Sequence, residues 1–384
     1  MKHPHSLGII TISWIFILSA ACGPMPPEPE PESVATMEQS DDGTPTYKVD
    51  PFWPKELPNN WILGQVSGMA VDSQDHIWII QRPSSLDRDE RALSLDPPEA
   101  DCCVPAPPVI EFDSEGNVIQ AWGGQGEGYE WPASEHGIFV DHMDNVWTAG
   151  AGKGDNQVLK WSRDGTFLLQ IGHAGPSEGS NNTNQLGQPA DMEVDPETNE
   201  IYVADGYLNK RVIVFDADTG EYKRHWGAYG NKPDDANPGP YDPDAPIPQQ
   251  FRSPVHCVRI ANDGLVYVCD RTNNRIQVFQ KDGTFVEEAF VAKRTLGVNG
   301  STFDVELSPD AEQLHLFTAD GANEKVWMLL RQDLSILGSF GRSGRQAGQF
   351  HWLHNIVVDS QGNIYTSEVE SGKRIQKFVP SPGA

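Results

Sequence analysis

The chain has 384 residues, with 28 Lys and Arg against 55 Asp and Glu, a formal net charge of −27. So acidic a balance argues against nucleic acid as a partner, because that ligand needs a basic face; otherwise it speaks only for solubility. Related repeats fill nearly everything after residue 46, so residues 47–384 read as one domain, a size that closed all-β folds often reach.

The N-terminus reads as a targeting segment. Lys2 precedes an apolar run at 7–17, followed by Leu18-Ser19-Ala20-Ala21-Cys22. The run is short for a membrane span and suits an export signal over residues 1–22. Its end resembles a bacterial lipobox, although the Leu stands one residue further from the Cys than usual. Cys22 is therefore expected to carry a lipid, which would be the chain's one membrane contact. An ordinary signal peptide cut before Cys22 is the alternative. Gly23 rather than Asp after the Cys points to the outer membrane in a cell that has one; otherwise the address is periplasmic or secreted. Residues 23–46 are rich in Pro, Glu and Ser, cannot bury a core, and read as an extended tether.

Tyr47-Lys48-Val49 is a short β-prone stretch. Six related units then begin near Val66, His136, Pro189, Ser253, Ser301 and Leu353. In the clearest, 253–279, strands at 256–260, 265–269 and 275–279 are separated by the turn Asn262-Asp263-Gly264 and a polar loop at 270–274. Such units at roughly fifty-residue spacing predict an all-β, six-bladed β-propeller. The last unit ends after 374–378, so Tyr47-Lys48-Val49 is expected to complete it and close the ring. The long segments 82–108, 172–188, 228–253 and 341–352 all fall on one face, where function usually sits on such scaffolds. Trp122, Trp226 and Phe340 close outer strands and read as packing between blades.

Four cysteines follow Cys22. A three-residue turn sets Cys257 opposite Cys269 on the neighbouring strand, where an exported chain can form a disulfide; a one-residue slip would part them. Cys102 and Cys103 are adjacent, either as a vicinal disulfide or as thiols.

Aligning the first strands on the Val-Asp turn puts Ser67, His136, Ala190, His256, Phe303 and His354 in register. Histidine occupies units two, four and six. Alternate blades lie about 120° apart in a six-fold ring, so three imidazoles are expected to converge on the axis at the elaborated face. Three neutral imidazoles with an open fourth position describe a catalytic zinc site, and iron, cobalt or manganese also suit it. Three unrelated channel-lining histidines are the bland alternative. Arg82, Tyr207 and Arg271 occupy second-to-third loops of the same face and do not recur in every unit. Asp205 and Asp270 read as turn caps. Asp191 and Asp304, one step past the aligned position, either pair with cations in the channel or serve structure.

These residues carry a resemblance. From about Trp61 to Phe378 the chain resembles the peptidyl-α-hydroxyglycine α-amidating lyase family, within the NHL-repeat propellers. The matching segments include QVSGMAVD at 65–72, EHGIFVD at 135–141, QPADMEVDPETNEIYVADGYLNKR at 188–211, SPVHCVRI at 253–260, CDRTNNRIQVF at 269–279 and HNIVVD at 354–359. The resemblance implies zinc on His136, His256 and His354, with Tyr207, Arg82 and Arg271 as catalytic residues. It also implies a channel calcium on the carbonyls of Met69 and Ile138 and a family Asp that is Asn355 here; an amide oxygen can coordinate without the charge. A family Met near the zinc is Trp352 here, which reshapes the pocket. The implied reaction is cleavage of the N–C bond of a peptidyl-α-hydroxyglycine or similar carbinolamide to an amide and glyoxylate. A small-molecule or peptide substrate and a monomeric protein are expected. A calcium-dependent, lactonase-like hydrolase and an exported binding or scaffold propeller are the other readings.

Overall fold

The structure is a computed structural model that describes residues 44–381. The export signal, Cys22 and residues 23–43 of the expected tether lie outside the described residues. Six four-stranded antiparallel sheets form the blades of a propeller. Their innermost strands are Gln65–Val71, Glu135–Val140, Pro189–Asp195, Val255–Ile260, Asp304–Leu307 and Leu353–Val358. The outermost strand of the sixth blade is Tyr47–Asp50, which pairs antiparallel with Ile375–Pro380, Tyr47 opposite Pro380 and Asp50 opposite Lys377. The ring is thus closed by the N-terminal strand, and that sheet edge is paired rather than open. A parallel pair outside the blades, Trp61–Ile62 with Val104–Pro105, ties down the long loop of blade 1.

The strands are short apolar runs because blades stack face to face and bury both sides of each sheet. Trp147, Val158 and Ile171 of blade 2 pack on Met192, Ile201, Val203 and Ile213 of blade 3, and equivalent clusters fill the other gaps. The Val-Asp turn has a physical basis. Asp72, Asp141 and Asp359 each accept backbone N–H groups two and four residues on with Oδ1, at 2.8–3.0 Å. Each Oδ2 accepts from an aromatic side chain six residues on: Trp78, Trp147 and Tyr365. One carboxylate therefore caps the turn and anchors the second strand.

On the opposite face, Asp205 and Asp270 do more than cap their own loops. Asp205 accepts from Gly187 N, Asn209 Nδ2 and Arg211 Nε. Asp270 accepts from Arg252 N, Asn273 Nδ2 and Arg275 Nε. Gly187 and Arg252 belong to the preceding blade-to-blade loops, so these buried ion pairs clamp long loops to the sheet. Cys257 and Cys269 are joined by a disulfide across neighbouring strands, in the register that sets Val258 opposite Val268. Cys102 and Cys103 are joined as a vicinal pair.

Replacing Arg275, which is fully buried, should be costly, because Arg275→Met strands the Asp270 carboxylate without its cation. We expect a loss of about 3–5 kcal/mol in denaturant unfolding. Removing the exposed Arg294–Asp244 pair should cost less than about 1 kcal/mol.

Candidate active site

The three histidines meet. Ring nitrogens of His136, His256 and His354 lie within 4.8 Å of one another, the ring centroids are 4.9–5.1 Å apart, and all three residues are buried. The local cause is a register shift in the inner strands. Pairing slips by one residue between Glu135 and Ile138, between Val255 and Val258, and between Leu353 and Asn355. A bulge of this kind re-aims a side chain out of the sheet's alternation. Gly137, next to the first histidine, lets the backbone of blade 3 approach: a Cβ there would lie 2.6 Å from Ala190 O.

Each imidazole is held through its Nδ1. His136 Nδ1 is 2.7 Å from Ala190 O, and His256 Nδ1 contacts Phe303 O. His354 Nδ1 is 2.7 Å from Asn355 Oδ1. A carbonyl oxygen only accepts, so Nδ1 carries the proton and Nε2 keeps its lone pair toward the centre. Burial pushes all three imidazoles below their usual range, His354 to about 3; the Arg271 cation pushes all three the same way, and Arg82 does so for His136 and His354. Three neutral nitrogen donors at one buried point can hold a single borderline metal ion such as zinc.

Above them opens a cavity of about 330 Å³ lined by residues of all six blades, among them Arg82, His136, Tyr207, Arg271, Phe303 and His354. The Tyr207 hydroxyl lies 2.9 Å from His136 Nε2 and 3.1 Å from His256 Nε2, and accepts from Arg271 Nη1 at 3.2 Å. Gly206 makes that possible, since a Cβ at this residue would lie 1.9 Å from Val255 O. Arg82 spends Nε on Glu135 O and Nη1 on Gln65 Oε1, both neutral acceptors. Burial lowers its guanidinium from the usual value, with Tyr207 and Glu135 acting against that. Arg271 lies over the rings of Phe303 and Tyr207, and its buried Nε has no hydrogen-bond partner. Among the described residues, neither arginine forms an ion pair with a carboxylate. Two poorly compensated guanidinium groups facing one cavity, Arg271 buried and Arg82 half-buried, suit an anionic ligand.

All six residues singled out for chemistry therefore come together. Trp352 also lines the cavity, its backbone held by Glu324, whose Oε1 accepts from Trp352 N at 2.9 Å. Met69 lies deeper in the channel, beside Arg259. Sequence reasoning missed Ser134, Asn299 and Glu370 as lining residues. Glu370 was findable: it stands two residues after Glu368, which pairs with Arg374 as Asp205 pairs with Arg211, and so it corresponds to Tyr207.

Comparison with known proteins agrees with this architecture. The NHL repeat model matches residues 255–279. Peptidyl-glycine alpha-amidating monooxygenase B of Xenopus laevis is 26% identical over 346 residues, 86% of this chain and 35% of that protein. The chain thus spans about a third of that relative's length. NHL repeat-containing protein 3 of Homo sapiens is 28% identical, covering 87% of this chain and 84% of that protein. Peptidyl-alpha-hydroxyglycine alpha-amidating lyase 1 of Drosophila melanogaster is 25% identical, covering 87% of this chain and 60% of that protein. Among solved structures, a streptogramin B lyase superposes with a TM-score of 0.50 at 11% identity, over 87% of this chain and 98% of that one. That last likeness concerns the fold alone.

The arginines generate a test that needs no turnover. A small 2-hydroxy or 2-oxo carboxylate should stabilise the wild-type protein, by roughly 2.7 kcal/mol at a hundredfold excess over its Kd. Arg271→Met should abolish that shift in a thermal melt while leaving the ligand-free protein at least as stable, because the buried cation it removes has no carboxylate partner.

Proposed function

We propose that this six-bladed propeller, with its NHL repeat, is a metal-dependent lyase that cleaves a carbinolamide, a peptidyl-α-hydroxyglycine or a close analogue, to an amide and glyoxylate. The observation that carries the reading is the Tyr207 hydroxyl, held between two histidine Nε2 atoms and Arg271 in a cavity walled by unpaired arginines. Relatives named amidating lyases and monooxygenases support the same class.

His136, His256 and His354 would hold the metal, zinc first among the candidates, which when bound supplies Lewis acidity to the substrate's hydroxyl oxygen. Arg82 and Arg271 bind the substrate carboxylate and fix the α-carbon beside Tyr207. Tyr207 takes the proton from the α-hydroxyl as general base, with the Arg271 donor placed against its oxygen. The electron pair of that O–H bond becomes the aldehyde C=O as the C–N bond breaks, and the pair from C–N passes to the amide nitrogen. Tyr207 then returns the proton to that nitrogen, so atoms and charge balance without a redox cofactor. Trp352 and Glu370 stand on the cavity wall, where the remainder of the substrate has to pass. We extend the proposal to an exported protein, anchored through Cys22.

The decisive measurement is glyoxylate release from a hydroxyglycine-ended peptide by zinc-loaded protein. No glyoxylate from a stoichiometrically zinc-loaded protein would defeat the reading, and protein that takes up no transition metal would favour a binding scaffold. Tyr207→Phe should retain the metal and lose about 10²–10⁴-fold in kcat. His256→Ala should lose the metal along with activity.

A further inference from the structure

The channel beneath the histidines already contains a cation. Arg259 leaves the inner strand Val255–Ile260 of blade 4 and lies buried between blades 3 and 5. Its Nη1 contacts Asp191 Oδ2, and its Nη2 is 3.3 Å from Asp304 Oδ1. Its Nε is 3.5 Å from Glu306 Oε2, and Nη1 also donates to Val258 O at 2.8 Å. Asp191 and Asp304 are buried, and backbone N–H groups complete them: Val258 N on Asp191 Oδ2, Ile356 N on Asp304 Oδ2. One guanidinium thus bridges two carboxylates from flanking blades, which is also what a divalent ion in a propeller channel would do.

The groups that the family resemblance assigns to calcium do not fit one here. The side-chain oxygen of Asn355 accepts from His354 Nδ1 at 2.7 Å, while its Nδ2 donates to Asp304 Oδ2 at 3.2 Å. That amide is oriented by both neighbours, with its oxygen turned to the imidazole. Asp191, Asp304 and Glu306 are engaged by Arg259, and burial holds Glu193, whose Oε2 has no hydrogen-bond partner, well above the usual carboxylate range. The small cavity at this level is lined by Met69, Glu193, Arg259, Glu306 and Val357, so a dication on the Met69 carbonyl would sit beside a desolvated guanidinium and be repelled by it. We infer that Arg259 is the resident cation of the channel, joining blades 3, 4 and 5 in place of a calcium ion that this protein neither binds there nor needs. The inference stands apart from the lyase reading, since it concerns metal content and stability rather than turnover.

The test uses the full chain, freed of loosely bound ions on a chelating resin and kept saturated with zinc. Elemental analysis after incubation with calcium chloride and desalting should find no stoichiometric calcium. Its melting temperature should be the same with and without millimolar calcium chloride. One calcium per chain, or a calcium-dependent rise in the wild-type melting temperature, overturns the inference. Arg259→Met leaves the acidic groups without their cation, so it should melt roughly 10 °C lower and recover part of that loss in calcium chloride. Arg259→Lys keeps a charge and should stay insensitive to calcium. An Arg259→Met protein that melts like wild type, or that calcium does not help, also overturns it. Should that variant fail to accumulate, the wild-type and Arg259→Lys measurements decide.

Discussion

The site depends on hydrogen bonds that cross from one blade to the next. His136 of blade 2 is held by the carbonyl of Ala190 in blade 3, and His256 of blade 4 by that of Phe303 in blade 5. In each case the acceptor is the aligned residue of the following inner strand. Two of the three imidazoles are therefore oriented from a neighbouring blade, while His354 is held by Asn355 of its own strand. The constellation exists only when the six sheets stand around a common axis, and that arrangement is locked by Tyr47–Asp50 pairing with the last strand.

A second theme is where an acidic chain keeps its cations. Arg211, Arg259 and Arg275 are buried against carboxylates and bind loops to sheets or blade to blade. Arg271, also buried, and Arg82, half-buried, face the cavity without such a partner. The side chain is the same in both groups, and the partner decides the role. A compensated guanidinium is scaffold, whereas an uncompensated one is an invitation to an anion. Lysine would serve less well, because the planar fork lets one face of the group bond the protein while the other stays available.

The hydrogen-bond path from Arg259 through Asp304 and Asn355 to His354 links the two levels of the axis. Asn355 is suited to that middle place because an amide donates and accepts at once. A carboxylate there would have met Asp304 as a like charge.

Much of this was legible in the linear chain, for a reason that lies in the fold. A propeller repeats one local unit, so equivalent positions can be aligned by counting from the Val-Asp turn, and rotation about the axis converts that register into proximity. His136, His256 and His354 could be brought together in this way, and Arg82, Tyr207 and Arg271 could be placed in loops of the same face. The pairing of Cys257 with Cys269 followed from turn length, since hairpin register is a local property. What counting could not supply was anything that depends on direction or on contact between units. The bulges beside the imidazoles, which recur in the histidine-free blades 1 and 3, show only in the strand pairing. The choice of Asn355 to face a histidine arises from strand packing. Only the closed ring decided that Arg259, one charged residue in an inner strand, would lie between two carboxylates of other blades, because a side chain's partner across a channel is fixed by three-dimensional packing and leaves no periodic mark in the sequence.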